Sequence, residues 1–160
     1  MKLRRLTAAD SEALIAFDLG VASSPHYLRG LGDSEGLSAW ERDPAAAALD
    51  RQVFVLDDDG EIVAVAAHER LENPDGHILL TNRYLMVTAC RADRQRSGLA
   101  RLLVDSIVGE LQRGGTRTVH WLVHPSNTAS LAFCREVFPD AHETYPPDDK
   151  PYVAFAILLN

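Results

Sequence analysis

The stretch from Tyr84 to Gly114 restricts the possible folds of this chain more than any other part of the sequence. A β-rich run reaches Cys90, a turn with small residues follows, and apolar residues then recur every three or four positions as far as Gly114-Gly115. This spacing predicts a helix that buries one face and ends at the glycines. A strand, a tight turn and a helix start in this order aim unpaired backbone N–H groups and the positive end of the helix dipole at one point. The stretch therefore predicts an anion-binding site.

The turn between this strand and this helix suits a diphosphate. Gly98 and Ala100 carry almost no side chain where a ligand must press against the backbone, while Gln95 and Arg96 can add side-chain donors. Small residues at a helix start also form tight turns that only pack on a sheet, so local spacing leaves both interpretations open. The full turn reads Gln95-Arg96-Ser97-Gly98-Leu99-Ala100.

The composition limits the class of protein. The 160 residues, of which 46% are hydrophobic, suit one compact domain over residues 1–160. The formal net charge of −7 disfavours nucleic acid and anionic membrane surfaces as partners. No segment is apolar over the length that crosses a bilayer, so we expect a soluble protein of the cytoplasm. A local basic cluster stands out against the acidic background and comprises Arg91, Arg94, Arg96 and Arg101.

The two cysteines, Cys90 and Cys134, lie far apart in the sequence and have no paired histidines at short spacing. This pattern excludes a zinc knuckle and argues against a disulfide framework. We therefore expect no metal and a reducing compartment.

The remaining segments predict an α/β (α+β) fold: a mixed, mostly antiparallel sheet of six or seven strands flanked by about four helices. Its core is a β-α-β unit whose helix begins at the carboxyl end of the preceding strand, where open sheets bind ligands. A turn at residues 57–60 joins two strands in a hairpin. The predicted strands cover residues 3–6, 52–56, 61–71, the run to 88–90, 116–123, 142–145 and 152–159. The predicted helices start near Leu14 and at residues 37, 99 and 127, with a long loop over residues 20–36.

With these elements in place, the chain resembles the GNAT superfamily of acyl-CoA-dependent N-acyltransferases. The family's pyrophosphate loop is Arg or Gln, two residues of any type, Gly, any residue, then Gly or Ala, and it lies between the fourth strand and the third helix. Residues 95–100 satisfy it. The resemblance implies that coenzyme A is held through its pyrophosphate by the backbone of Gln95, Arg96, Ser97, Gly98, Leu99 and Ala100. It also implies that the strand end binds the pantetheine arm and positions the thioester through Thr88, Ala89 and Cys90.

A second patch carries the same resemblance. The strand that ends at Val123 and the following Pro125 and Asn127 resemble the exit of the family's fifth strand and the start of its fourth helix. The resemblance gives Asn127 a contact with the coenzyme near its thiol. Asn127 also suits a helix N-cap, which needs no ligand and is compatible with that contact.

The chain departs from the family at two positions. Cys134 stands where a tyrosine commonly protonates the departing thiolate, and Phe138 stands where a glycine is common. A thiol can donate a proton, although it is a weak hydrogen-bond donor. Cys134 is therefore the candidate general acid, with helix packing as the alternative role.

Removal of the proton from the amine requires a base that titrates near the working pH. The candidates are Glu69, Tyr84, His120 and His124. We expect His124 at the exit of the fifth strand, or Glu69, to serve this role. His120 alternates with two apolar neighbours, which favours an ordinary sheet-face histidine.

The expected function is transfer of an acetyl group from acetyl-CoA directly to a primary amine of a small molecule or peptide. A homodimer is compatible with this expectation. The loop of residues 20–36, the second helix and residues 141–152 would flank the acceptor. Two alternatives remain open: a coenzyme-A-binding module without catalysis, motivated by Cys134, and a nucleotide-binding α/β protein.

Overall fold

A computed structural model describes residues 1–10, 13, 17, 50–145 and 151–160. The helices expected near Leu14 and over residues 37–49, and the loop of residues 20–36, lie outside these residues. The described strands and α-helices are β1 (Lys2–Arg5), β2 (Gln52–Asp58), β3 (Glu61–Glu72), β4 (Ile78–Cys90), α1 (Leu99–Arg113), β5 (Thr118–Val123), α2 (Thr128–Val137), β6 (His142–Thr144) and β7 (Val153–Leu158).

These elements form one seven-stranded sheet in the order β1-β2-β3-β4-β5-β7-β6. Every neighbouring pair is antiparallel except β4 and β5, which run parallel. The predicted mixed, mostly antiparallel sheet is confirmed, and so is the β4–α1–β5 unit with its parallel strands. In the hairpin between β2 and β3, Asp59 and Gly60 have φ of 53° and 91°. Two successive positive φ values fit the twist of a tight hairpin.

The parallel pair β4–β5 separates along its length. Pairing covers Asn82–Tyr84 and Thr118–His120, after which β4 continues to Cys90 and β5 to Val123 without pairing to each other. β4 also has a bulge near the point of separation. On the side where β4 pairs with β3, Leu85 pairs with His68 and Val87 pairs with Ala67, so one residue of β4 between them has no partner. The extra residue between them bends β4. A gap therefore opens between the carboxyl ends of β4 and β5.

The two faces of the sheet have separate cores. On one face, which we call the helix face, Leu103 and Ile107 of α1 and Cys134 of α2 pack with Val119 and Trp121 of β5. On the opposite face, a smaller cluster contains Phe17, Val55, Ile62 and Val65. Because side chains alternate along a strand, each strand contributes to both faces. The strands that border the gap between β4 and β5 therefore carry side chains on both faces.

Candidate active site

A cavity of about 630 Å³ occupies the helix face above the gap between β4 and β5. The end of β4, the end of β5, the start of α1 and one side of α2 enclose it. The sequence predicts ten residues that hold the coenzyme, and eight of them line the cavity. They are Thr88, Ala89, Cys90, Gln95, Arg96, Gly98, Ala100 and Asn127.

At one end of the cavity, which we call the loop end, the residues from Gln95 to Arg101 present the start of α1. Gly98 caps the helix with φ of 84°, a left-handed conformation that glycine adopts without strain. A Cβ added there would meet no heavy atom of the described chain within 4 Å, so the backbone faces open space. The first intrahelical bond runs from the Leu102 N–H to the Gly98 carbonyl at 3.0 Å. The N–H groups that precede it, which a helix leaves without internal acceptors, belong to Gly98, Leu99, Ala100 and Arg101.

The loop end is also positively charged. Arg94, Arg96 and Arg101 line the cavity, and Arg96 adopts φ of 60°, which is uncommon for a residue with a side chain. The fourth member of the basic cluster, Arg91, is engaged elsewhere, because its guanidinium contacts Asp93 at 2.7 Å and Glu61 at 3.1 Å. Arg94 lies 3.9 Å from Asp58 and from Asp93, and Arg101 lies 3.6 Å from Asp105, which compensates part of their charge. Arg96 and the helix dipole therefore contribute most to the preference for an anion at this end.

Two residues of the predicted loop serve the fold instead. Leu99 is buried in the helix-face core, and the Ser97 hydroxyl donates to the Arg94 carbonyl. Neither side chain lines the cavity. Ser97 and Leu99 can therefore contact a ligand only through their backbone, as the predicted pyrophosphate loop requires.

The end of β4 forms the middle of the cavity. Thr88 Oγ1 is buried and has no hydrogen-bond partner within the part of the chain that the structure describes. Burial raises the pKa of the Cys90 thiol to about 11, so this thiol stays protonated at neutral pH. Cys90 is therefore a poor nucleophile, and the unpartnered hydroxyl of Thr88 is a group in this wall that is able to bind a polar ligand.

At the other end of the cavity, which we call the thiol end, Trp121 and Phe138 surround Cys134. The indole Nε1–H of Trp121 donates to Cys134 Sγ at 3.2 Å. Burial raises the pKa of the Cys134 thiol, and the hydrogen bond from Trp121 opposes part of that rise. The indole ring packs on Phe138 and Phe155 at centroid distances of 5.1 and 5.4 Å. Both positions where the chain departs from the family, Cys134 and Phe138, thus contact one tryptophan.

Asn127 occupies the start of α2 and combines the two roles foreseen for it. Its side-chain oxygen accepts a hydrogen bond from the Ser130 N–H at 3.0 Å, which caps the helix. The residue also lines the cavity. The N-cap prediction is confirmed, and the cap fixes the position of the side chain at the cavity wall.

The two expected bases lie outside the cavity lining. Glu69 Oε2 accepts a hydrogen bond from Arg51 Nε at 2.7 Å in a pair that is 14% and 15% exposed. The Nδ1 atom of His124 accepts from the Ser126 N–H at 3.2 Å and lies 2.7 Å from the Ser126 hydroxyl. The His124 ring also makes an edge contact with Tyr152. The fold does not bring either side chain to the coenzyme cavity.

Sequence reasoning missed Trp121 as a site residue. Its indole is the partner of Cys134, and nothing in the local sequence links positions 13 residues apart. The alternation of Val119, His120 and Trp121 gave the only signal, since it places Trp121 on the same face as Val119. The contact of Trp121 with Cys134 depends on the packing of α2 against that face, which the sequence alone does not show.

Within the described ranges, no group of three or more His, Cys, Asp or Glu side chains is arranged to hold a metal ion. No helix in that part of the chain combines the length and apolar character needed to span a membrane.

Comparison with known proteins identifies the family. The sequence model of the Acetyltransferase (GNAT) family matches residues 22–138, which is more than half of the chain. The chain belongs to this family of acetyltransferases, which use acetyl-CoA. Among curated proteins, the sequence search finds no match.

Solved structures share the fold at low sequence identity. The ribosomal-protein-S18-alanine N-acetyltransferase of Escherichia coli is 20% identical, with a TM-score of 0.69 over 99% of this chain and 94% of that one. The ribosomal-protein-alanine N-acetyltransferase of Brucella melitensis is 16% identical, with a TM-score of 0.74 over 99% and 100%. The PaiA N-acetyltransferase of Thermoplasma acidophilum, solved in complex with coenzyme A, is 12% identical, with a TM-score of 0.70 over 98% of both chains.

Proposed function

We propose that this protein transfers an acetyl group from acetyl-CoA directly to a primary amine of a small molecule or peptide. The observation that carries the proposal is the cavity itself, with helix N–H groups that lack internal acceptors and arginine side chains at the loop end, and a protonated thiol at the thiol end. A coenzyme that combines a diphosphate with a distant thioester matches this distribution of charge and polarity.

The residues present fit acetyl-CoA along the whole cavity. The amides at the start of α1 suit the diphosphate, and the open space at Gly98 lets it approach the backbone. The unpartnered Thr88 hydroxyl suits a polar group of the pantetheine arm. When bound, acetyl-CoA supplies an acetyl group activated as a thioester. Backbone N–H groups at the end of β4, near Cys90, would stabilise negative charge on the carbonyl oxygen, and such donors contribute ~2.7 to 4 kcal/mol.

Cys134 is the proposed proton donor to the sulfur that departs from the acetyl group. Its pKa lies above the ordinary thiol value because of burial, so it carries its proton at neutral pH. The hydrogen bond from Trp121 Nε1 acts on the Cys134 lone pair and leaves the S–H proton for donation. Cys134 would therefore act as the general acid at the position where a tyrosine is common in the family.

Calorimetry with acetyl-CoA, followed by a thiol-release assay over a panel of amines, tests the proposal. The panel includes a peptide with an N-terminal alanine, because two of the structural neighbours are named for the acetylation of alanine in ribosomal proteins. We expect binding and turnover on at least one amine. Binding without turnover on any amine would instead favour a non-catalytic coenzyme-binding module. Competition by a dinucleotide but not by coenzyme A would favour a nucleotide-binding protein.

The remaining expectations stay predictions. They are a single domain over residues 1–160, a cytoplasmic location, a possible homodimer, and the absence of nucleic acid, membrane and metal partners. Size-exclusion chromatography with light scattering would determine the oligomeric state.

A further inference from the structure

The cavity reaches through the gap between β4 and β5 to the opposite face of the sheet. Ala89 packs with the cluster of Val55 and Val65 on that face, yet it also lines the cavity. Leu122, which alternates with the helix-face residue Trp121, lines the cavity as well and is 39% exposed. A molecule on the opposite face can therefore approach the cavity between these two side chains.

A row of polar side chains crosses the opposite face next to this opening, two residues along β5 from Leu122, and its members do not themselves line the cavity. Glu69 of β3 faces Tyr84 of β4, and Tyr84 faces His120 of β5 in the last paired position before the strands separate. His120 is two residues from Leu122 on the same strand and therefore shares its face. Neighbouring strands lie ~4.8 Å apart, so the row brings a carboxylate, a phenol and an imidazole side by side next to the opening.

Of these three groups, Glu69 and Tyr84 are poorly placed to accept a proton. Glu69 Oε2 is occupied by Arg51 Nε at 2.7 Å. Burial, and next the charge of Glu69, raise the pKa of Tyr84, so its phenol is neutral and able only to donate or accept a hydrogen bond at neutral pH.

The imidazole of His120 is in the state that proton uptake requires. Burial lowers the pKa of His120, so the ring is neutral at neutral pH. Its Nε2 atom is buried and has no hydrogen-bond partner among the described residues. A buried polar atom without a partner costs free energy and calls for an explanation. The row and the opening next to it provide one.

We propose that His120 takes the proton from the acceptor ammonium, which enters from the opposite face of the sheet, and that Tyr84 positions the acceptor nitrogen or a bridging water. The inference rests on the proposed function. The charge of Glu69 is compensated by Arg51 Nε at 2.7 Å, so Glu69 is assigned no part in the proton transfer.

The proton balance is complete with groups already named. The ammonium gives one proton to the His120 imidazole, and the neutral nitrogen then forms the C–N bond to the acetyl carbon. The C–S bond breaks, and the sulfur takes a proton from Cys134. The second proton lost by the nitrogen returns to Cys134 through water, and His120 releases its proton to solvent. The products are the acetylated amine, coenzyme A and one proton.

The strands that pair with β5 are β4 and β7, which place Tyr84 and Ala156 beside His120. One strand further out on each side, the titratable groups on the same face are Glu69 on β3 and His142 on the edge strand β6. His142 belongs to the segment expected to flank the acceptor, so the control histidine is taken elsewhere. His77 is exposed in the turn between β3 and β4, at the end of β4 that lies away from Cys90, and provides this control.

The test compares the parent protein with His120→Ala, His120→Gln and His77→Ala in the thiol-release assay from pH 6.5 to pH 9.5. We expect both His120 variants to lose about 100-fold or more of kcat at pH 7, within the range for a missing proton acceptor. The deficit should shrink towards pH 9.5, because an amine with a pKa near 10.4 is then partly deprotonated without a base. His77→Ala should follow the parent curve.

Calorimetry with acetyl-CoA and urea unfolding separate this role from a structural one. The His120 variants should bind acetyl-CoA as the parent does. A deficit that stays constant with pH, or His120 variants that turn over like the parent, would overturn the assignment while leaving the proposed function intact. A parent protein that binds acetyl-CoA but acetylates no amine would overturn the proposed function, and the inference with it.

Discussion

The loop end and the thiol end of the cavity are built in different ways. At the loop end, the donors are backbone N–H groups, and their direction depends on the left-handed conformation of Gly98. At the thiol end, side chains from separate elements meet, with Trp121 of β5 donating to Cys134 of α2. A backbone site depends on conformation and local charge, whereas a side-chain site depends on the chemistry of single atoms. Substitutions at the loop end should therefore lower the affinity for acetyl-CoA, and substitutions at the thiol end should lower kcat.

Gly98→Glu should break the loop end and give the largest effect. A carboxylate near 4 Å from a phosphate charge costs about 4 kcal/mol at an effective dielectric constant near 20, which corresponds to roughly a thousand-fold loss of affinity. We expect calorimetry to show this loss for acetyl-CoA while circular dichroism shows a folded protein.

Gly98→Gln is the matched control, because it has the same shape and pays the same backbone cost at a φ of 84°. The difference between the two variants isolates the charge. Equal affinity of the Glu and Gln variants would contradict a diphosphate at this position, and parent-like affinity of both would remove the loop from the coenzyme site.

Leu103→Ala should loosen the helix that holds the loop end in place. Leu103 is fully buried in the helix-face core, and removing such a side chain costs about 3 kcal/mol through lost burial and a cavity. Leu102→Ala, one residue earlier and 46% exposed, should change the free energy of unfolding by less than about 0.5 kcal/mol. Urea unfolding of the two variants measures the contrast, and similar losses would show that the buried face of α1 is not what anchors it.

The same contrast explains what the sequence could predict. The loop end was accessible because its signal is local: six consecutive residues with a small residue at two positions, followed by a helical period that Leu103 and Leu111 continue into the core. The hairpin of β2 and β3 was accessible for a similar reason, since the turn at Asp59-Gly60 marks it directly in the sequence.

The thiol end and the opposite face could not be predicted in this way. The contact of Trp121 with Cys134 depends on how α2 packs on β5. The row of Glu69, Tyr84 and His120 depends on strand register, and a bulge at residues 85–87 sets that register. The sequence of one strand does not encode where a bulge falls relative to its neighbour, so the alignment of His120 with Tyr84 and Glu69 could not be read from it, whereas His124 stands next to a recognisable turn.

His68 extends the comparison to a buried polar group outside the cavity lining. It is 2% exposed and stacks on Phe54 at 5.6 Å. Burial, followed by the charge of Arg83, lowers the pKa of His68 from its ordinary 6.5 to about 4. The unfolded chain therefore binds more protons between these values, so the free energy of unfolding should fall as the pH drops from 6.5 to 4 and then level off. The loss should reach up to about 3 kcal/mol.

His68→Phe keeps an aromatic ring against Phe54 and removes the titrating group. Urea unfolding at pH 7.5 and at pH 4.5 should show a smaller acid loss for this variant than for the parent. If both proteins lose the same stability on acidification, His68 is already protonated in the native state and its burial does not control the acid response.

Cys134→Ala should give the smallest effect and test whether the thiol end acts in turnover. We expect kcat to fall about tenfold, below the usual range for a proton donor, because a thiol is a weak donor and water can replace it. The affinity for acetyl-CoA should change little, since the loop end supplies the anion contacts. Cys134→Ser restores an O–H that can accept from Trp121 Nε1 and donate to sulfur, so it should recover most of the lost rate. Parent-like turnover in Cys134→Ala would assign Cys134 to helix packing, and the two ends would then both serve binding alone.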